Sequence, residues 1–290
     1  MPFKKSCDVP VLDTCMGLSE EAIVKAKNEL FEPDDQTEHI QMLNSVIQDS
    51  RDNDDIAAEV FKICSKKDNA FLVRFLRARK WNVDRAYALL KGYASFRLKY
   101  PELFEDLTDE TIKGTLEAGY PSVLPHRDRY GRVVLAFKIE HWDPVLTPFD
   151  EILRGFVYIL ENLLKSQETQ VNGLVLFENF YNYSLTQALS IKPHQLKKMV
   201  EMLQCSFPCR LKGVHFIHQP WYFSWSFALT KPFLKEKLSK RVHIHGDNLE
   251  EFYDEFGKEW IPFEFSGDNN QLDQISWTKE FFDFINIIYV

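Results

Sequence analysis

The chain lacks the loop motifs with which a parallel-sheet enzyme usually binds phosphate or presents a nucleophile. No Gly-x-Gly-x-x-Gly or Gly-Lys-Ser/Thr motif follows a strand candidate, which argues against a nucleotide-binding domain. No Gly-x-Ser-x-Gly turn is present either, which argues against a serine hydrolase of that type. We therefore expect no enzymatic activity, and an enzyme such as a lipid hydrolase remains the competing hypothesis.

Long apolar runs and paired cysteines are also missing. No stretch of about 18 apolar residues predicts a membrane-spanning helix, and residues 1–15 contain no signal-peptide-like run. An odd number of cysteines with no Cys-x-x-Cys pair predicts free thiols in the cytosol; they are Cys7, Cys15, Cys64, Cys205 and Cys209. We expect a cytoplasmic protein that associates with membranes only peripherally.

Charge and ligand patterns exclude further classes. The formal net charge of -8 gives no reason to expect nucleic-acid binding. His243 and His245 would share one face of a strand, either as a metal pair without an obvious third ligand or as satisfied histidines, and we predict no metal site. The 24 phenylalanines form either a Phe-rich core or the lining of a cavity for a conjugated ligand.

Two patterns of periodicity divide the chain. Helical periodicity predominates at first, with start signals at Ser19 and Asn82, a break at Pro33 and a stop at Pro101. From about residue 119, strand candidates alternate with helices, one of which starts at Thr147-Pro148. The middle strands are apolar on both faces, which predicts a mainly parallel α/β sheet. We predict a helical domain over 1–115, an α/β domain over 116–270 and a helical tail over 271–290.

Several blocks in consistent order resemble the CRAL-TRIO lipid-binding family. They are FLVRFLRARK at 71–80, residues 128–132, SFPCRLKGVHFIH at 206–218, residues 231–235 and residues 245–246. Residues 117–121, 149–153, 200–204 and 217–223 are most similar to the retinaldehyde-binding members, and the tocopherol-transfer members and the clavesins share the outer blocks. The resemblance spans about residues 18–266. It implies a mixed sheet with a small all-α N-terminal domain, and an apolar pocket under a movable gate helix near residues 222–238.

The resemblance implies a set of ligand-binding residues for a retinoid or related hydrophobic cargo. They are Phe137, Ile139, Trp142, Phe156, Ile159, Phe177, Glu178, Gln187, Lys198, Met199 and Met202. Glu178 is either a pocket carboxyl that meets a polar ligand head or a surface acid at a strand end. Lys198 either approaches a ligand aldehyde or is a solvated helix lysine, and we predict non-covalent binding. Phe156 stands where the retinaldehyde-binding members have tyrosine.

The resemblance also implies a membrane surface. Arg79, Arg210, Lys237 and Arg241 match phosphoinositide-contacting positions of the family, although a basic run can also be a solvated face. Gate residues that would cover cargo or enter a membrane are Trp225, Phe227, Leu229 and Phe233; a simply buried helix is the alternative. We therefore expect a monomeric carrier of a retinoid, with a tocopherol or other lipid carrier, or a phosphoinositide-binding trafficking protein, as rivals. No cofactor is expected besides the cargo.

The tail has no counterpart in the resemblance. Its apolar stripe predicts a helix that either packs on the domain or forms a dimer contact; the stripe residues are Trp277, Phe281, Phe284, Ile285 and Ile288.

Overall fold

The computed structural model describes residues 10–12 and 17–288. Cys7 and Cys15 therefore lie outside the described residues. The first part is helical, as expected, and contains α1 Glu20–Leu30, α2 Thr37–Ser50, α3 Asp55–Cys64, α4 Asn69–Ala78, α5 Val83–Lys99 and α6 Asp109–Glu117, with a 3-10 turn at Pro101–Leu103.

Side-chain caps start most of these helices. Ser19 accepts a hydrogen bond from the Ala22 amide, and Asn82 accepts one from Arg85, which confirms both predicted starts. Each cap satisfies an amide that has no partner within the helix. The predicted stop at Pro101 is also confirmed, because α5 ends at Lys99.

The second part is built on a five-stranded sheet in the order β1-β2-β3-β4-β5. Its strands are β1 Ser122–Val123, β2 Val133–Lys138, β3 Leu174–Asn179, β4 Leu211–Ile217 and β5 Val242–Gly246. Strands β2 to β5 are mutually parallel, and only β1 pairs antiparallel with β2. The mainly parallel sheet is therefore confirmed. The sequence did not predict β1, because two residues are too few for an alternation to register.

Helices connect the strands and extend beyond them. They are α7 Phe149–Leu163, α8 Gln167–Asn172, α9 Leu185–Ser190, α10 Pro193–Glu201, α11 Phe223–Ala228, α12 Glu236–Ser239, α13 Glu250–Phe256 and α14 Gln274–Ile288. A π turn at Met202–Ser206 and 3-10 turns at Lys231–Phe233 and Phe263–Phe265 complete the chain. Thr147 does not cap α7. Pro148 holds the cap position in a non-helical conformation and has no polar side chain to bond the first amides, while the Thr147 amide closes the preceding turn on the carbonyl of Asp143.

The two faces of the sheet carry different side chains because the side chains of a strand alternate between faces. The inner face, which packs into the main core, carries Val133, Leu135, Phe137, Leu174, Leu176, Val214 and Phe216. The outer face carries Val134, Ala136, Val175, Phe177 and Ile217, which pack with Phe252 and Phe256 of α13.

The gate segment, residues 222–238, is not one helix interrupted at Pro232. It contains the six-residue α11, the 3-10 turn Lys231–Phe233 and the four-residue α12. Pro232 lacks the amide that would continue a helix through the middle of the segment. The prediction of a single gate helix was wrong in this respect, and the segment consists of short pieces joined by non-helical backbone.

The helical part, the sheet and the tail pack together. Arg77 of α4 is only 1% exposed, and it donates to Glu32 at 2.5 Å and to Gln170 of α8 at 2.5 Å. In α14, Trp277 stacks on Phe281, which is 1% exposed and contacts Tyr158 of α7. The tail stripe thus packs on the domain, although the Ile288 side chain lies outside the description. Within residues 10–12 and 17–288, no helix has the length and apolar character needed to cross a bilayer.

Candidate functional site

A single carboxyl group sits on the otherwise apolar inner face. Glu178 of β3 is in register with Phe137 of β2 on one side and with Phe216 of β4 on the other. Leu176 precedes it on the same face and is 3% exposed. No hydrogen-bond partner of the Glu178 side chain is found in the described part of the chain. The sheet therefore presents one acid between two phenyl rings.

The Glu178 carboxyl is shielded from water by its apolar neighbours. The residue is half-buried, and burial raises the pKa of its carboxyl to about 7. Removal from water disfavours the charged form of a carboxyl, which is the cause of the raised pKa. Below its pKa the carboxyl is protonated and can donate one hydrogen bond to an oxygen of a bound molecule.

The gate segment covers this face through ring contacts. Phe223 and Phe227 of α11 lie 5.1 and 5.8 Å, centroid to centroid, from Phe216. Phe180, just after β3, lies 4.6 Å from Phe223, and the Tyr222 hydroxyl donates to the carbonyl of Tyr183. The cover consists of short helical pieces held by ring contacts and, in its second half, by two hydrogen bonds of Gln204, to the carbonyl of Phe233 and the amide of Lys235. It can therefore separate from the sheet without breaking a long helix.

Most of the predicted ligand-binding residues share the core of the inner face. Glu178 lies on the face itself, and Met199 packs against the cluster of buried side chains beneath it. Six more are members of that cluster: Phe137, Ile139, Trp142, Phe156, Ile159 and Met202. Phe137 and Phe156 are 9% and 8% exposed, more than their fully buried neighbours. Of these two, Phe137 is in register with Glu178, as is Phe216 at 8% exposure, so these rings are placed to touch a ligand beside the carboxyl.

Three predicted ligand-binding residues are placed elsewhere. Phe177 points to the outer face, with its ring 4.6 Å from that of Phe256. Gln187 holds the end of β2, since its Nε2 donates to the carbonyls of Ile139 and Trp142 at 2.8 and 2.7 Å. The prediction put Phe177 and Glu178 in the same pocket, but adjacent residues of a strand face opposite sides of a sheet, so Phe177 lies on the outer face.

Lys198 is the third. Its Nζ lies 2.8 Å from Glu102 and 3.2 Å from Asp150. Burial acts to lower the pKa of Lys198, but the hydrogen bonds to these carboxylates outweigh it and the pKa is raised. The amine is therefore charged at neutral pH and does not act as an imine-forming nucleophile.

The basic cluster, defined as Arg79, Arg210, Lys237 and Arg241, forms from distant parts of the chain. Burial lowers the pKa of Lys237, and so does repulsion from Arg241, Arg79, Arg85 and Arg210. Burial and the Arg210 charge likewise lower the pKa of Arg241. The other three predicted basic residues thus lie within electrostatic reach of Lys237.

Few carboxylates balance the basic cluster. Glu29 lies 3.0 Å from Arg210 and 3.5 Å from neighbouring Lys212. Burial, with the Arg210 charge, lowers the pKa of Lys212 to about 8. The repulsion between these cations is unfavourable, and a bound anion would reduce it.

Three histidines stack on the outer face. His215 of β4 lies 4.6 Å from His243 and 5.4 Å from His245, with ring planes within 11° and 7° of parallel. His215 Nδ1 and His245 Nε2 are 3.1 Å apart and share a hydrogen bond. In the part of the chain that the structure describes, no group of His, Cys, Asp or Glu side chains is arranged to hold a metal ion.

Comparisons with known proteins agree with this architecture. Residues 117–267 match the CRAL/TRIO domain, and residues 27–92 match the CRAL/TRIO N-terminal domain. The chain belongs to the CRAL-TRIO family. The resemblance inferred from the sequence blocks and the predicted fold class are both confirmed.

Full-length relatives support the family assignment. The human alpha-tocopherol transfer protein-like protein is 36% identical over 262 residues, which cover 90% of this chain and 74% of that protein. Clavesin-1 of Xenopus laevis is 38% identical over 266 residues, covering 91% and 77%. The crystal structure of Sfh5 shares the fold, with a TM-score of 0.50 and 16% identity over 71% of this chain and 74% of that one. The CRAL-TRIO family comprises lipid-binding and lipid-transfer proteins.

Sequence reasoning missed an apolar edge of this CRAL-TRIO domain. Strands β2, β3 and β4 are parallel, so the segments that follow them meet at one edge of the sheet. Large exposed apolar side chains occur in all three segments; they are Val145, Leu146, Leu185, Leu189, Trp221 and Trp225. Leu185 and Leu189, spaced by four residues on α9, were the available signal.

Proposed function

We propose that this CRAL-TRIO protein is a non-enzymatic carrier of a hydrophobic molecule with one oxygen-bearing head group, of which a retinoid is the first candidate. The observation that carries the proposal is Glu178, an unpaired carboxyl with a pKa of about 7 between Phe137 and Phe216. A protonated carboxyl can donate to an aldehyde oxygen, while the flanking rings contact a flat polyene.

A tocopherol-type cargo is the second candidate. The name of the alpha-tocopherol transfer protein-like relative favours it. A phenolic hydroxyl can exchange a hydrogen bond with Glu178 as an aldehyde can accept one, so the head group alone does not discriminate. The lining of the site does discriminate between the two cargoes. Phe156 offers no hydroxyl to a ligand, and ring contacts would hold a conjugated cargo.

Cargo exchange is proposed to occur at a membrane that contains phosphoinositides. The apolar edge lies at the carboxyl ends of the strands, whereas Arg210 and Arg241 directly precede β4 and β5 at their amino ends. The seven-residue β4 separates the two ends by roughly 20 Å. The gate segment joins them, since Trp225 lies near its start and Lys237 near its end. An anion bound to the basic cluster would therefore act on the end of the gate remote from the apolar edge.

The first test is a titration of the purified full chain with 11-cis-retinal, all-trans-retinal and α-tocopherol. Tryptophan quenching that saturates near one ligand per chain, with a shifted retinal absorption band, is expected for the retinoid. Glu178→Gln should alter the band position and weaken binding, whereas Glu255→Gln on the outer face should change neither. Saturation by tocopherol alone would replace the retinoid by the second candidate.

The membrane step is tested by cargo transfer between vesicles. We expect faster transfer to acceptor vesicles that contain phosphatidylinositol bisphosphate than to neutral vesicles. If the protein binds such vesicles but saturates with none of the three ligands, the carrier proposal fails and a phosphoinositide-binding trafficking protein takes its place.

A further inference from the structure

A cleft lies at the junction of the helical part, α7 and the C-terminal helix. This junction cleft has a volume of about 700 Å³, within the range of about 300–1,000 Å³ typical of small-molecule sites. Its walls come from α3, α5, the start of α6, α7, α14 and the turns after α3, α5 and α7. It shares no residue with the basic cluster, the apolar edge or the predicted cargo site.

The charge of the cleft is opposite to that of the chain as a whole. Its lining contains five basic side chains, Lys62, Lys66, Lys67, Arg97 and Lys165, against three carboxylates, Glu59, Asp109 and Glu161. The chain carries a formal charge of -8. A local excess of two positive charges in an acidic protein attracts a dianion.

The carboxylates of the cleft already have partners in its walls. Glu161 accepts from the Tyr93 hydroxyl at 2.5 Å and lies 3.8 Å from Arg97. Asp109 accepts from Tyr158 and from Asn286 of α14, the latter at 2.9 Å. Glu59 lies 2.9 Å from Lys62, so each acid is engaged by the protein itself.

Three more lysines, Lys66, Lys67 and Lys165, line the cleft. Lys66 and Lys67 are exposed and form no ion pair within the described residues. Lys165 is half-buried and donates to Asn162 at 2.9 Å. Burial lowers the pKa of Lys165, as do the charges of Arg74 and Lys67, against Glu161 and Asp109. A bound anion would relieve this repulsion between cations.

The rest of the lining is apolar. Ile63, Leu107 and Phe104 are half-buried, and Ile285 of α14 is 7% exposed. The guanidinium carbon of Arg97 lies over the Phe104 ring, 4.2 Å from its centroid, which helps to hold that wall in place. The cleft thus combines lysine ammonium groups with a hydrocarbon surface.

We propose that the junction cleft binds an amphiphilic phosphate monoester, with its phosphate on Lys66, Lys67 and Lys165 and its hydrocarbon part on Ile63, Phe104, Leu107 and Ile285. A phosphate monoester carries about -1.5 to -2 charges at pH 7, which matches the local excess. Lysine binds phosphate as a point charge and needs no fixed fork geometry. This site is additional to the cargo site, and α14 contributes one wall of it.

The test is calorimetric titration of the full chain with dodecyl phosphate below its critical micelle concentration. We expect saturable binding near one per chain. Lys66→Ala/Lys67→Ala should weaken it about tenfold, and both side chains are exposed, so the fold is retained. Lys27→Ala/Lys258→Ala removes two charges from exposed ion pairs outside the cleft and the basic cluster, and it should change the affinity less than about twofold. Lys237→Ala/Arg241→Ala tests whether dodecyl phosphate binds at the basic cluster instead.

Three outcomes would overturn the inference. Loss of binding only in Lys237→Ala/Arg241→Ala would place dodecyl phosphate at the basic cluster. If the retinal or tocopherol that saturates the cargo site displaces dodecyl phosphate, then dodecyl phosphate binds in the cargo site. Equal affinity for dodecanol would mean that the phosphate is not recognised, and equal affinity for glycerol 3-phosphate would mean that the hydrocarbon part is not. None of these outcomes changes the ligand titration that tests the carrier proposal.

Discussion

The two faces of the sheet differ in what covers them. On the outer face, the rings of Phe177, Phe252 and Phe256 pack at centroid distances of 4.6 to 5.2 Å, and none is more than 1% exposed. On the inner face, the gate segment contacts Phe216, the neighbour of Glu178 in β4, and consists of helical pieces of six residues or fewer. Fully buried rings thus cover the outer face, whereas the inner face combines the main core with a gate of short pieces next to a polar group.

The largest effect should come from breaking the outer face. Phe256→Ala removes a ring that is 1% exposed and contacts Phe177, and we expect it to lower the free energy of unfolding by about 3–5 kcal/mol. Phe227→Ala on the gate should cost less than about 1.5 kcal/mol, because that ring is only partly buried. Urea unfolding of both variants measures the difference. Equal losses would mean that the gate is as much a part of the core as α13 is.

The next largest effect should come from the inner-face carboxyl. Burial raises the pKa of Glu178 to about 7 in the folded state, so folding favours its protonated form. Its stabilising contribution is complete at low pH and is lost as pH rises from about 4.5 through 7. We expect a loss of about 2–3 kcal/mol by pH 8 in the ligand-free protein.

Glu178→Gln should abolish that loss. Unfolding free energies of both proteins between pH 5 and pH 8 give the measurement, and Glu250→Gln, at an exposed position of α13, serves as the outer-face control. A Glu178→Gln protein that loses as much stability at pH 8 as the parent would show that Glu178 faces ordinary solvent.

The outer face should respond to pH in the opposite direction. Burial lowers the pKa of His215 to about 2, as do the charges of His243, His245 and Arg132; Glu255 lies 3.9 Å away as the nearest carboxylate. Because the pKa of His215 is lower in the folded state than in the unfolded state, its neutral form stabilises the fold above the unfolded-state pKa of about 6.5. This stability is lost as the pH falls below that value. Between pH 6.5 and pH 5 we expect a loss of about 2 kcal/mol.

His215→Phe tests this because phenylalanine keeps the ring contacts to Phe177 and Phe256 without the titrating nitrogens. Its unfolding free energy should vary less between pH 6.5 and pH 5 than that of the parent. The solvent-exposed His141→Gln should leave the pH profile unchanged. A profile that His215→Phe does not flatten would assign the acid sensitivity to other groups.

The sequence was sufficient to predict the fold but only part of the site. Helix starts at Ser19 and Asn82 and the parallel sheet follow from local capping and periodicity, which act over a few residues. Phe177 was misplaced because the face of a residue depends on strand register, and a shift of one position reverses it. Lys198 was ambiguous because its partners, Glu102 and Asp150, are distant in the chain.

The gate and the tail illustrate the same limit. The Tyr222–Leu238 stretch is rich in apolar residues and is expected to be helical apart from Pro232, but α11 ends at Ala228 and α12 begins only at Glu236. The stripe of Trp277, Phe281 and Ile285 was equally compatible with a dimer contact and with packing on the domain. Only the position of α6 and Tyr158 decides that it packs on the domain.

The smallest expected effect concerns membrane binding, and it compares a lysine of the inner-face gate with a lysine on the outer side of the sheet. Lys237 ends the inner-face gate, and Lys258 follows α13 on the outer side, where it pairs with Asp268 at 3.0 Å. A basic residue near an anionic surface contributes about 1 kcal/mol, so Lys237→Ala should weaken binding to phosphoinositide vesicles about fivefold. Lys258→Ala removes the same charge and should leave vesicle binding unchanged. Sedimentation with vesicles at physiological ionic strength distinguishes the two variants. Equal weakening would mean that the membrane responds to the net charge of the protein, whereas an effect confined to Lys237 would tie vesicle binding to the inner-face gate.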